Sequence, residues 1–169
     1  ADLDPVTMTS PSQKVTQFVD EELKAPLLFG NKTLRGLDYF NEVDLWLPER
    51  GLTDWYDKKR PVPFGEYVPL ENQLRGLIEF FNLPTSFIHL GPQEQHGLIA
   101  KGIRISPAIC YEIVYPSLVW QSAKEADFLL TNSNDAWFGR SFAAAQHFEM
   151  ARMRALEHGK MLIRSTNSG

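Results

Sequence analysis

The chain has 169 residues, 43% of them hydrophobic and 22% charged, with a formal net charge of −4. This is the composition of one globular domain with a real core, and it carries neither a basic footprint for nucleic acid nor a run of like charge for an interaction tail. A single cysteine excludes an internal disulfide, and no zinc-type ligand spacing surrounds it, so no metal and no cofactor is expected. Residues 1–11 read as a loop, and the stretch ADLDPVTMTSPSQ is too acidic and polar for a signal peptide. From Ser12 to Lys24, Val15, Phe18, Val19 and Leu23 recur at helical spacing, with Ser12 as N-cap and Pro26 as terminator. Pro26–Gly30 is a short apolar strand. Tyr39–Leu47 alternates and reads as a half-buried strand, with Tyr39, Asn41, Val43, Leu45 and Leu47 on one face and Phe40, Glu42, Asp44 and Trp46 on the other. Residues 48–69 hold four prolines and two glycines and read as one long loop.

Leu70–Phe81 is the next expected helix. Gly97–Ala100 and Ile103–Ile109 are strands around a Lys101-Gly102 turn. Tyr111–Ala126 reads as a helix, Asp127–Thr131 as an apolar strand, and Asn132–Gly139 as a polar stretch that turns aromatic. Ser141 is placed to cap a helix running to about His158, whose buried stripe is expected at Ala144, Phe148, Ala151 and Ala155. Met161–Ser165 is the last strand. Helices alternating with apolar strands argue for an α/β layered domain. No stretch reaches the roughly 18–20 apolar residues of a membrane span. The chain lacks a starting Met and stops just after an apolar run, so both ends are expected to be cut points within a longer protein.

Cys110 sits where the strand Ile103–Ile109 gives way to a helix. A strand-to-helix turn exposes the sulfur, and the first N–H groups of the following helix have no partner within it. Those groups favour a thiolate and supply donors for an oxyanion. A nucleophilic cysteine also needs a base and a stabilising cation. Spacing does not single out any of His89, His96, His147 and His158, each of which also fits an ordinary surface or core-edge position. Lys58, with Glu66 eight residues on, offers a cation and a carboxylate to orient it, although Lys58-Lys59-Arg60 equally fits a solvated loop. Glu112 fits an ordinary acid in the first turn of a helix.

Four stretches together resemble the nitrilase-superfamily domain of the apolipoprotein N-acyltransferases: YDKKRPVPFGEYVPLE (56–71), PAICYEIVYP (107–116), LLTNSNDAWFGRS (129–141) and QHFEMARMRALEHGKMLIRSTNSG (146–169). The resemblance implies an α/β fold of the nitrilase-like α-β-β-α sandwich type, incomplete at both termini. It implies that Cys110 is the nucleophile, Lys58 the catalytic lysine and Glu66 its supporting carboxylate, with Tyr111 and Glu112 as companions of the cysteine. Asn134, Asp135, Trp137 and Phe138 match a loop expected to bind substrate near the active site. Arg152, Arg154 and Glu157 match the following helix, where salt bridging along the helix face is the plainer reading. The family's first glutamate, a general base in a Trp-Pro-Glu-like motif, has no match here. Glu21 and Glu22 lie inside a helix and Glu49 in another segment, so that base is expected upstream of Ala1. Residues 1–169 are thus expected to be a partial catalytic domain, with the first catalytic strand and the transmembrane helices outside it. One departure stands inside the motif, where Arg60-Pro61 replaces His-Leu; Pro61 removes a donor and restricts Arg60 to extended backbone.

The implied reaction moves an acyl chain from a membrane phospholipid, through a Cys110 thioester, to the N-terminal amine of a diacylated lipoprotein. The implied location is a bacterial cytoplasmic membrane, with the site on its extracytoplasmic face. Trp55 and the Phe80-Phe81 pair are candidates to touch lipid; Trp46, Phe87, Trp137 and Phe138 fit core positions. Two alternatives remain open on the residues: a soluble nitrilase-type amidase hydrolysing a small amide, and a non-catalytic domain that keeps the fold as an interaction module.

Overall fold

The computed structural model describes residues 13–63, 66 and 88–167. The helix expected over Leu70–Phe81, with Phe80, Phe81 and Phe87, lies outside them. The chain opens with α1 (Gln13–Gln17), which widens into a π-helical turn over Phe18–Leu23. That turn buries Val19 and ends at Lys24, whose φ of 52° is left-handed. The expected helix over 12–24 is therefore present, split between two helical windings.

Three antiparallel strands follow, β1 (Leu27–Arg35), β2 (Asp38–Leu47) and β3 (Gly51–Asp57). A short β4 (Ile88–His89) pairs parallel with the start of β2. The first strand is longer than Pro26–Gly30. The supposed loop over 48–69 contains β3, because its turn is tight: Glu49 and Gly51 both take positive φ (63° and 70°), and β3 folds straight back on β2. A second correction concerns β2. It is half-buried only at its start; from Val43 to Trp46 both faces are buried. One face, Val43 and Leu45, enters the core, as the alternation predicts. The other carries Glu42 and Asp44, which are covered by polar partners rather than left in water. Arg35 is ion-paired to Glu42 and to Asp57, and its guanidinium lies over the rings of Phe40 and Trp55.

The second sheet has the order β5 (Leu98–Ala100), β6 (Ile103–Ile109), β7 (Phe128–Ser133), β8 (Leu162–Thr166). The β5–β6 pair is antiparallel around Lys101-Gly102, both at positive φ. β6, β7 and β8 are parallel, so each connection needs a crossover, and each crossover carries a helix. The first crossover begins as a 3₁₀ turn (Cys110–Val114) and continues as α2 (Pro116–Ala123). The single helix expected over Tyr111–Ala126 is broken because Pro116 cannot sit inside a continuous helix and instead opens a new one. The second crossover is a 3₁₀ turn (Asp135–Phe138) followed by α3 (Ala143–His158), closed by Gly159 at φ 58°.

The two sheets pack face to face. Val43, Leu45 and Tyr56 of the first meet Leu98, Ala100, Ile105, Ile109 and Leu130 of the second. Gly30 of β1 lies so close to Asn132 of β7 that a Cβ there would fall 2.1 Å from its amide nitrogen. The opposite face of the second sheet packs on the helices, through Ala108, Leu129, Ile113, Val119, Ala123 and Ala151. On α3 the inward stripe is His147, Ala151 and Arg154, with Ala144 and Ala155 beside it. Phe148, expected in that stripe, is 47% exposed. The hydrophobic alphabet picks the phenylalanine, but the geometry of the site picks the histidine.

Candidate active site

The site forms where the two sheets meet, and each sheet supplies half of it. Lys58 follows directly on β3. Its amide donates to the Asn41 carbonyl of β2 (2.8 Å), and its own carbonyl accepts from Gly91 N–H (2.8 Å). The side chain of Gln95 clips the preceding residue, accepting from Asp57 N–H and donating to Asp57 O, both at 2.9 Å. The backbone carrying the lysine is thus held from two sides. The Lys58 side chain is 1% exposed, and its ammonium donates to Glu66 at 2.5 Å. Glu66 is itself oriented by Val62 N–H (2.8 Å) and the Asn41 amide (3.2 Å). A buried ammonium needs such a partner to stay charged. The pair expected from spacing alone is therefore assembled, and Asn41 joins it. The signal for Asn41 was present: one polar residue on the otherwise apolar inward face of β2.

Cys110 ends β6. Its φ is +53°, in the left-handed region that non-glycine residues rarely occupy. The chain thereby reverses abruptly from strand to 3₁₀ turn, which projects the thiol-bearing residue at the carboxyl end of a parallel strand. Ligand sites of open α/β sheets lie at that end. Cys110 is partly exposed and unbridged.

Glu112 connects the two halves. It is fully buried. One carboxylate oxygen accepts from Lys59 N–H (2.6 Å) and Arg60 N–H (3.0 Å) on the lysine segment. The other accepts from Ile109 N–H (2.8 Å), just before the nucleophile, with the Tyr56 hydroxyl at 3.4 Å. Burial pushes its carboxyl above the usual carboxylate range, while the three backbone donors pull it back. Burial, then the neighbouring Glu112 charge, raises the Tyr56 phenol. Burial lowers Lys59, whose ammonium lies 5.4 Å from the centre of the Tyr56 ring, and Glu112 partly offsets this. Glu112 is thus not a solvated first-turn acid. It reaches back to the N-cap amide as a capping-box acid does, and it also ties the lysine segment to the cysteine turn. Arg60, beside the Pro61 departure, keeps its amide in that clamp and sets its guanidinium 6.0 Å from the Tyr115 ring centre.

The loop after β7 makes a second framework. Asn134 accepts from Ala136 N–H (3.1 Å) and from the Asn167 amide (2.6 Å). Asp135 is buried. Its carboxylate accepts from the Ser133 hydroxyl (2.6 Å), its backbone N–H donates to Asn167 Oδ1 (3.0 Å), and its side chain pairs with Arg164 and lies 3.3 Å from His147 Nδ1. His147 Nε2 is 3.1 Å from the Cys110 carbonyl oxygen. Tyr111 stacks on the His147 ring (6.4 Å between centres), and Phe138 meets it edge-on (5.8 Å). Trp137 lies in the same 3₁₀ turn. Four histidines were indistinguishable by spacing, and His147 is the buried one that reaches the nucleophile's backbone. Its partners stand 12 and 37 residues away, which no local pattern shows. Arg152 and Arg154 make the helix-face bridges anticipated, to Glu149 and Glu157. Among the described residues no cluster of three or more His, Cys, Asp or Glu is arranged to hold a metal ion.

Comparison with known proteins identifies the family and the fold. The chain is 57% identical over 114 residues to the apolipoprotein N-acyltransferase of Pseudomonas putida, a match covering 68% of this chain and 23% of that protein. It is 55% identical over 131 residues to the enzyme of that name from Pseudomonas aeruginosa, covering 78% and 25%. The chain thus spans about a quarter of the length of these relatives. Among solved structures, a carbon-nitrogen hydrolase from Helicobacter pylori superposes with a TM-score of 0.67 at 16% identity, over 98% of this chain and 56% of that one. The NitFhit protein of C. elegans superposes with a TM-score of 0.69 at 16% identity, over 95% and 37%. At that identity the likeness establishes the nitrilase-type fold and no more. Residues 34–169 match the carbon-nitrogen hydrolase family model, so the chain, with its cysteine at the end of a parallel strand, belongs to the carbon-nitrogen hydrolase family.

Proposed function

We propose that this chain carries the acyl-transfer site of a lipoprotein N-acyltransferase, acting in two steps through a thioester on Cys110. In the first step the sulfur, deprotonated, attacks the ester carbonyl of a membrane phospholipid. A C–S bond forms, the ester C–O bond breaks, and the lysophospholipid leaves with the proton the thiol gave up. In the second step the terminal amine of a diacylglyceryl-cysteine attacks the thioester. A C–N bond forms, the C–S bond breaks, and a proton from the amine returns to the sulfur. Splitting amide synthesis this way is what a thiol nucleophile provides. Each step passes through an oxyanion, for which the Lys58 ammonium and the Tyr111 N–H are the donors; losing one donor of this kind costs about 3 kcal/mol of barrier. Glu66 keeps Lys58 charged and aimed, and Glu112 holds the two donors in register. The loop that carries Asn134, Asp135, Trp137 and Phe138 borders the substrate. The resemblance gives the proton transfers to a glutamate that none of the glutamates here matches, so the 169-residue chain alone is expected to turn over nothing.

The observation that carries this reading is the Glu112 clamp, which binds the Lys58–Arg60 segment and the Cys110 turn into one unit. The names of the relatives support N-acylation of an apolipoprotein in a bacterium. Among the described residues no helix is long and apolar enough to cross a membrane. Membrane attachment and the extracytoplasmic orientation are proposed on the resemblance alone. Of the aromatics put forward to touch lipid, Trp55 is among the described residues, and it is 46% exposed.

The test is to incubate the full-length protein with phospholipid and map adducts by mass spectrometry. An acyl group on the Cys110 peptide, released by a diacylated lipopeptide amine and absent in Cys110→Ser, is the expected result. Lys58→Met is expected to slow adduct formation by about 10²–10³-fold. Hydrolysis of small amides without any lipid adduct would establish the amidase alternative instead.

A further inference from the structure

We infer that His147 is a positioning residue that sets the oxyanion donor by gripping the far side of the same peptide plane, and that it does so as an imidazolium. The inference rests on the acyl-transfer reading of Cys110, but on none of its lipid substrates.

The Cys110 carbonyl and the Tyr111 N–H belong to one rigid trans peptide, so they point in opposite directions and turn together. His147 Nε2 lies 3.1 Å from that carbonyl oxygen. Holding the oxygen therefore aims the N–H. Such a hold is needed here, because Cys110 is at φ +53° and a relaxed cysteine would leave that region.

The proton count follows from the partners. A backbone carbonyl can only accept. Asp135 pairs with Arg164 and already accepts from the Ser133 hydroxyl, so facing His147 Nδ1 at 3.3 Å it too acts as an acceptor. Both ring nitrogens must then donate, which only the doubly protonated ring does. Arg164, Asp135 and His147 form a buried row of alternating charge ending on the Cys110 carbonyl. Tyr111 and Phe138 close over the ring and keep it in one orientation.

Two neutral variants separate positioning from mere packing. The Gln amide nitrogen replaces Nε2, so His147→Gln keeps a donor at the Cys110 carbonyl; the shorter His147→Asn replaces only Nδ1. In full-length protein, acylation of Cys110 by a p-nitrophenyl ester is compared with its alkylation by iodoacetamide, which passes through no oxyanion. The Asn variant is expected to lose about 10²-fold in acylation relative to alkylation, and the Gln variant to recover most of it. Both variants lack the ring's charge, so any effect of that charge on the thiol cancels between them. Equal acylation-to-alkylation ratios in the two variants would overturn the positioning role, whether both ratios fall or neither does. The charge is read without any reaction, from ¹⁵N-histidine NMR of the full-length protein, with the variants assigning the signal; a His147 ring carrying one proton overturns that part, also if a variant fails to fold. A wild-type protein that takes the acyl group from the ester but not from phospholipid would sink the lipid assignment and leave this inference standing.

Discussion

Cys110 pays for its placement in backbone strain. A left-handed φ costs an L-residue on the order of 1 kcal/mol, and glycine almost nothing. Elsewhere in a folded chain, alanine is more stabilising than glycine by a similar amount. At position 110 the order is expected to reverse: Cys110→Gly is expected to be more stable than Cys110→Ala by about 1 kcal/mol in chemical denaturation, with both inactive. A higher midpoint for the alanine variant would show that the turn relaxes without strain. The sequence reading placed Cys110 on a strand-to-helix turn but had no sign of its φ, since no Gly or Asn marks the spot. Glu112 illustrates the same limit. Its position, two residues after the cysteine, suggested an acid at a helix start. Its principal partners, Lys59 and Arg60, lie more than fifty residues back, where only the fold brings them.

At the scale of elements, periodicity located every strand of the second sheet and the long helix between β7 and β8; the three parallel strands read clearly because parallel, doubly covered strands are nearly continuous apolar runs. It failed for β3, whose Leu52 and Trp55 are partly exposed and whose neighbours are rich in proline. That strand matters, because Lys58 is its continuation. The loop that fixes its exit turns on Gly91, where an added Cβ would stand 2.8 Å from the Asp57 carbonyl oxygen and 2.4 Å from the Asp57 Cβ. The first obstacle is backbone and cannot swing aside. Gly91→Ala is therefore expected to destabilise by about 1–3 kcal/mol, measured by urea unfolding, and to lower the rate of Cys110 acylation at the same time. A variant with wild-type stability and rate would show that this loop does not hold the lysine.

For the molecule as a whole, the outer face of the first sheet buries more negative than positive charge. Glu42, Asp44 and Asp57 are all buried there, around Arg35. Burial pushes Glu42 up to about 7, well above the usual carboxylate range, and the neighbouring Asp44 adds to the rise. Asp44 is raised too, again mainly by burial. A carboxyl raised on folding binds its proton more tightly in the native state. Its contribution is therefore most favourable below about pH 4.5 and is lost as pH climbs through about 7. The protein is expected to lose about 1–3 kcal/mol of stability between pH 5 and pH 8 from this group, and Glu42→Gln to flatten that slope. Thermal melts of the two proteins across this range decide it; parallel slopes would assign the loss to other groups.

The division of the site between two sheets has a mechanical consequence. Besides the Glu112 clamp, what spaces the lysine from the cysteine is the thickness of an apolar seam, the one built from Val43, Leu45, Ile105, Ile109 and Leu130, with Gly30 packed tightly against Asn132. The core thus serves as a spacer gauge for catalysis. A methyl group added to or taken from that seam is expected to change the reach of an ammonium across it, so turnover is expected to register small volume changes along with stability.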